Sequence, residues 1–243
     1  MEVLAAWRST HPPCPFLNST HTLTRYLDAN NGDVAKAKEA LLATQKWRRE
    51  SLAPGFSCAP CAAAPGEHCF IPLGLDATGA ALVYGCPARA AGNAVEDTVA
   101  HVVHALEKQF DGEEGDAQPR RWVWVVDFSG FGFSHAMNAR LGLAFGAVFR
   151  AHFPERLKSI ILINPPLLFK TLLLAINAIA DERTVAKLIT LSAGSPAEVV
   201  DALRARFHVH SEPVLAWLLA ALGSPPTPGT LPPLPPALLP LQV

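Results

Sequence analysis

Charge is scarce in this chain. Asp, Glu, Lys and Arg supply 17% of its 243 residues and apolar residues 50%, whereas ordinary soluble proteins carry about 25% charge. That balance leaves more oil to hide than a core of this size requires. The formal net charge of −1 lacks the broad positive field that gathers nucleic acid, so that class is set aside. No basic start, apolar core and small-residue cleavage site mark a secretory signal. Five cysteines make an odd number for a disulfide framework, and an intracellular, reduced setting is expected. The scarcity of acids before Asp28 leaves an organellar transit segment open. Long apolar runs are missing too. Asn164-Pro165-Pro166 cuts the best window, Ser159–Ala180, and the remaining Leu167–Ala180 falls short of the roughly 20 residues a span needs. It can lie on a membrane or line a cavity, but not cross.

What is present is a strand and helix alternation. Trp122–Val126, Ile160–Ile163 and a run near Lys187–Leu191 are short, apolar and β-branched, the mark of strands buried on both faces. Ser134–His152 and Leu167–Ala180 are the helices between them, which predicts parallel βαβ units and an α/β fold. Upstream, Phe70–Leu73 and Ala81–Gly85 read as two strands joined by a turn. Asn93–Gln109 reads as a helix, and Leu23–Ala29 as a short one that Asn30-Asn31-Gly32 ends. Asp33 is a good N-cap for the amphipathic helix that follows. Ala139, Gly142 and Gly146 form a small-residue stripe, expected to let another element come close. Pro196–Arg206, capped by Ser195, and Val214–Leu222 complete the helices. Ser224–Val243 holds eight prolines in twenty residues and no charge, and is expected to be a flexible or polyproline II tail. The organisation predicted is a helical N-terminal segment over 1–55, an α/β domain over 56–223 and the tail over 224–243. The second of the βαβ helices is unusual, since in Leu167–Ala180 only Lys170, Thr171 and Asn177 are polar. Such a helix must be covered nearly all round by protein, lipid or ligand.

The blocks Val125-Val126-Asp127-Phe128, Ser134-His135-Ala136-Met137-Asn138, Phe153-Pro154-Glu155-Arg156-Leu157, Ile160 to Pro166 and Thr184-Val185-Ala186-Lys187, in that order and spacing, resemble the CRAL-TRIO lipid-binding domain. With the segment from Leu23 to Glu50, similar to the helices that precede the domain, the resemblance runs to Leu191. It implies a sheet flanked by helices around an apolar lipid cavity, closed by a gate helix. Leu168, Phe169, Leu172, Leu173, Ile176 and Ile179 would form that gate and the cavity lining. Glu155, Thr184 and Lys187 stand where family members that bind phosphatidylinositol hold the phosphate and the inositol hydroxyls. Asn30 replaces a cation usual in the family, so a weaker preference for that lipid is expected, with sterol-like and other apolar ligands still open. The expected protein is a monomeric, non-catalytic carrier or presenter of phospholipid. It would be cytoplasmic, touch a membrane surface transiently, bind no nucleic acid and need no cofactor.

Two other chemistries compete. Gly132-Phe133-Ser134-His135-Ala136 follows a strand like the nucleophile elbow of an α/β hydrolase, yet Ala136 replaces the final Gly. Asp181 or Asp201 with His208 or His210 would have to complete a triad. An N-cap role for Ser134 is the simpler reading. Cys58-Ala59-Pro60-Cys61, with His68 and Cys69 after it, suggests zinc or a redox pair, but a second CxxC is missing and the prolines predict coil. Ser51–Glu67 is therefore read as a linker and no metal is expected. Asp97, His101 and His104 share a helix face at metal-binding spacing and are read as an ordinary surface.

Overall fold

The strands owe their two-faced burial to strict alternation. In β2 (Ala81–Gly85), Leu82 and Tyr84 enter one core while Ala81 and Val83 enter another. In β3 (Trp122–Asp127), Val123 and Val125 face the first core and Trp122 the second. A computed structural model describes residues 19–52, 56–63, 66–92, 94–110, 121–137, 139–167, 169 and 182–241. Its sheet runs in the order β1 (Phe70–Leu75), β2, β3, β4 (Leu157–Ile163), β5 (Leu188–Leu191). The first pair is antiparallel and the other three are parallel. Because each strand lies beside its predecessor, right-handed crossovers put all the connecting helices on one face.

That face carries α4 (Val95–Phe110) and, after the short α5 (Phe133–Met137), α6 (Ala139–His152). Ahead of the sheet come α1 (Thr20–Ala29), α2 (Val34–Ser51) and α3 (Ala59–Ala63); α7 (Glu182–Val185) precedes β5. The opposite face is covered by α8 (Pro196–Phe207) and α9 (Glu212–Gly223), whose Val199, Leu203, Leu215 and Leu218 join Val125, Ile161 and Ile163. Asp33 caps α2 as expected, accepting from the amides of Ala35 at 3.0 Å and Lys36 at 3.1 Å.

The amphipathic N-terminal helices dock on the end of α6. Tyr26 donates to Thr44 Oγ1 at 2.8 Å and to the His152 carbonyl at 3.2 Å. Arg25 donates to the Pro154 carbonyl at 3.2 Å, and Trp47 stacks on His152 with ring centroids 4.0 Å apart.

Several expectations change. The 51–67 stretch is not plain coil: Cys58 leads into α3, where Pro60 sits in the first turn and blocks no helical bond. Ser134 is not a cap, because α5 begins one residue earlier, with the Gly132 carbonyl accepting from His135 and Ala136. The proline-rich segment is seated, not free. Leu238 is buried in the core beneath it, Pro236–Leu241 form a 3-10 helix, and Trp217 donates to the Pro232 carbonyl at 3.1 Å. Glycines admit it: a Cβ on Gly130 would lie 2.6 Å from Pro226 Cγ, and one on Gly66 2.7 Å from Leu231 Cδ1. The predicted helix Leu167–Ala180, with Leu168, Leu172, Leu173, Ile176 and Ile179, lies outside the described residues except for Leu167 and Phe169.

Candidate functional site

A cavity of about 1360 Å³ lies on the α4/α6 side of the sheet. Sites for drug-sized ligands hold roughly 300–1,000 Å³, so this one suits something larger. Its walls are apolar for most of their length: Trp124, Val126, Ile160 and Leu162 from the strands, Phe145 and Phe149 from α6. At the carboxyl ends of the strands it is lined by aromatic rings, where Phe128 meets Phe169 at 4.3 Å and Phe131 at 5.1 Å between centroids. Burial, helped by Asp127, pushes the Cys86 thiol on this wall up to about 11, so at neutral pH it behaves as a small apolar group.

The stripe of small residues serves this space. Gly142 and Gly146 line the cavity, and among the described residues nothing lies within 4 Å of a Cβ added to either. Among the described residues, no element makes the close approach expected for them. Gly146→Ala should stabilise α6 by about 0.5–1 kcal/mol. It should also weaken a space-filling long-chain ligand by up to about fourfold, one methylene's worth or ~0.8 kcal/mol. Thermal unfolding and ligand titration should therefore move in opposite directions. A fall in both would mean that the glycine serves packing.

Polar groups gather at the other end, by the amino ends of β4 and β5. Glu155, Thr184 and Lys187 all line the cavity there. Lys187 Nζ lies 3.3 Å from Glu155 Oε2, with the two side chains 22% and 34% exposed. Glu155 holds a left-handed backbone, φ 55°, in the turn closed by the Arg156 amide on the Phe153 carbonyl. A non-glycine residue there costs on the order of 1–2 kcal/mol, strain of the kind found at functional sites.

The residue that sequence reasoning missed is Arg183. It lines the same end and reaches the α1–α2 junction, donating to the Asp28 carbonyl at 3.3 Å and to Asn31 Oδ1 at 3.1 Å. A second cation thus stands beside Asn30, where the sequence has none.

Hydrolase geometry is not assembled among the described residues. Ser134 lines the cavity beside Phe131, but His135 Nδ1 accepts from the Gly132 amide at 2.9 Å. Asp201, His208 and His210 belong to α8 or follow it, on the opposite face of the sheet; Asp181 lies outside the described residues.

The CRAL/TRIO domain family model matches residues 66–200. A crystal structure of Sfh5 is similar at 18% sequence identity with a TM-score of 0.54, over 70% of this chain and 63% of that one. Likeness at that identity concerns the fold alone, and this chain covers less than two thirds of that protein's length. No curated protein matches the sequence. Among the described residues, no helix is long and apolar enough to cross a membrane.

Proposed function

Because the chain belongs to the CRAL/TRIO domain family, whose members bind hydrophobic lipid ligands, we propose that it carries or presents one phospholipid, phosphatidylinositol or a close relative. The carrying observation is the cavity itself: about 1360 Å³, apolar along the sheet and charged at one end. Each methylene drawn from a bilayer costs about 0.8 kcal/mol unless it is reburied, and the aromatic walls are where it would be reburied. In this reading Lys187 supplies a cation for the phosphate, Thr184 a hydroxyl, and Glu155 an acceptor for sugar hydroxyls. Arg183 adds a second cation. The segment 167–180 is the gate, opening against a membrane surface. The protein works as a monomer in the cytoplasm and performs no chemistry on its ligand.

Two measurements test this. Native mass spectrometry of the purified protein should find a bound phospholipid, and donor vesicles should lose labelled phosphatidylinositol to acceptors at a rate proportional to protein. Esterase turnover abolished by Ser134→Ala, with neither bound lipid nor transfer, would overturn the proposal in favour of a hydrolase.

A further inference from the structure

Four side chains that the lipid reading leaves unused come together where a linker was expected. Cys58 precedes α3, Cys61 lies within it, His68 sits in the turn before β1 and His101 on α4. Cys58 Sγ is 3.4 Å from His68 Nδ1, and Cys61 Sγ is 3.5 Å from His68 Nδ1 and 3.6 Å from His101 Nδ1. All four ligand atoms lie within 4.8 Å of one another. Around a tetrahedral zinc ion, bonds of about 2.3 Å to sulfur and 2.0–2.1 Å to nitrogen set each sulfur–nitrogen edge at about 3.5 Å. Two thiols, each donating its one proton to an imidazole, account for two such contacts. They do not account for three edges of one tetrahedron.

We propose that Cys58, Cys61, His68 and His101 form a structural Zn²⁺ site. Two thiolates and two imidazoles are a donor set that selects zinc over the hard cations. With four protein ligands no position is left open, which makes the site structural and not catalytic. Cys58, His68 and His101 are buried.

The tetrad takes three residues from the CxxC segment and one from the α4 histidines, and leaves out their sequence neighbours. Cys69 is not in it, and His104 instead stacks on Phe56 with centroids 3.7 Å apart. A metal here ties the 56–63 segment to the start of the sheet and to α4. His68, Thr98 and Val102 also line the lipid cavity, so the clip would hold one of its walls.

The full-length protein, purified without chelator, should carry about one equivalent of zinc by elemental analysis. Exchanged with Co²⁺, it should show a thiolate-to-cobalt charge-transfer band and the intense visible bands of tetrahedral cobalt. Cys61→Ser and His101→Ala should each lower zinc affinity at least about a hundredfold, the upper end of what an outer-shell partner costs. Where a variant fails to fold, the wild-type cobalt spectrum decides. Zinc far below one equivalent with an octahedral cobalt spectrum overturns the site. A Cys58–Cys61 disulfide in protein purified under reducing conditions does the same. Neither result touches bound lipid, which is measured separately.

Discussion

Arg89→Ala should cost about 3 kcal/mol of stability and unseat the proline-rich segment. Arg89 is 2% exposed and spends its guanidinium on main-chain oxygens. It donates to the carbonyls of Ala221 at 2.7 Å, Ser224 at 2.8 Å and Thr230 at 3.2 Å, and to Ser224 Oγ at 2.9 Å. Two of those carbonyls end α9, where a cation also meets the negative pole of the helix. In return the Arg89 carbonyl accepts from the Gly229 amide at 2.7 Å. Hydrogen bonds to a charged group contribute about 1.5–3 kcal/mol each. Losing several, partly offset by water reaching the looser oxygens, gives the figure. The urea midpoint measures it. Trp217, whose indole donates to the Pro232 carbonyl, should report the release as a red shift in fluorescence below the main transition. A loss under about 0.5 kcal/mol, the scale of an ordinary surface substitution, would show that the prolines hold themselves.

Lys187→Ala should weaken phosphatidylinositol roughly ten- to a hundredfold and spare a lipid with an uncharged head. A charge-assisted hydrogen bond to phosphate is worth about 1.5–3 kcal/mol, and each 1.4 kcal/mol is about tenfold in affinity. Stability should barely move, since a partly exposed pair such as Lys187 and Glu155 contributes about 0–1 kcal/mol. Vesicle titrations with both lipids, run beside thermal melts, separate the cases. If both lipids fall with the melting temperature, the lysine supports the fold. If neither falls, the headgroup lies elsewhere. Arg183 predicts a residual preference in the variant, which Asn30 alone would not supply.

The sheet was legible because its central strands are too short and too apolar to be anything else. Ala81–Gly85 was read with its true ends, and β3 missed only Asp127, whose carboxylate is hidden by a 2.8 Å hydrogen bond from Tyr84. β4 began three residues early for a related reason. Lys158 broke the apolar pattern, yet its amine reaches Asp76 Oδ2 at 2.7 Å and the strand continues past it. Local chemistry was enough for the Asp33 and Ser195 caps. It could not place the tail: prolines exclude an α-helix or a central strand, and nothing in their spacing says that an arginine far upstream collects the carbonyls of Ser224 and Thr230. The charged end of the cavity was legible only through resemblance, since Glu155 and Lys187 lie 32 positions apart. Arg183 carried no signal, because its partners are a backbone oxygen of α1 and a side-chain amide in the α1–α2 turn. The Cys and His tetrad is only half legible in the sequence, because the helical repeat groups His101 with His104 on α4 and hides its neighbours in space.

The strand order has a consequence for how the chain is made. Since each strand pairs with the one translated just before it, no strand waits for a later one to slip between its neighbours. The ladder can grow outward as it leaves the ribosome, with α4 and α6 laid on one side along the way. The other side has no such cover in transit. Its Val125, Ile161 and Ile163 depend on α8, α9 and finally Leu238, all synthesised after the sheet is complete. For that interval a nascent chain displays a bare apolar sheet face, the kind of surface on which chaperones act and aggregates start. The stretch of translation from β5 to Leu238 is then the hazardous one, and Arg89 is already in place to hold the chain at Ser224 and Thr230 as the prolines around them emerge.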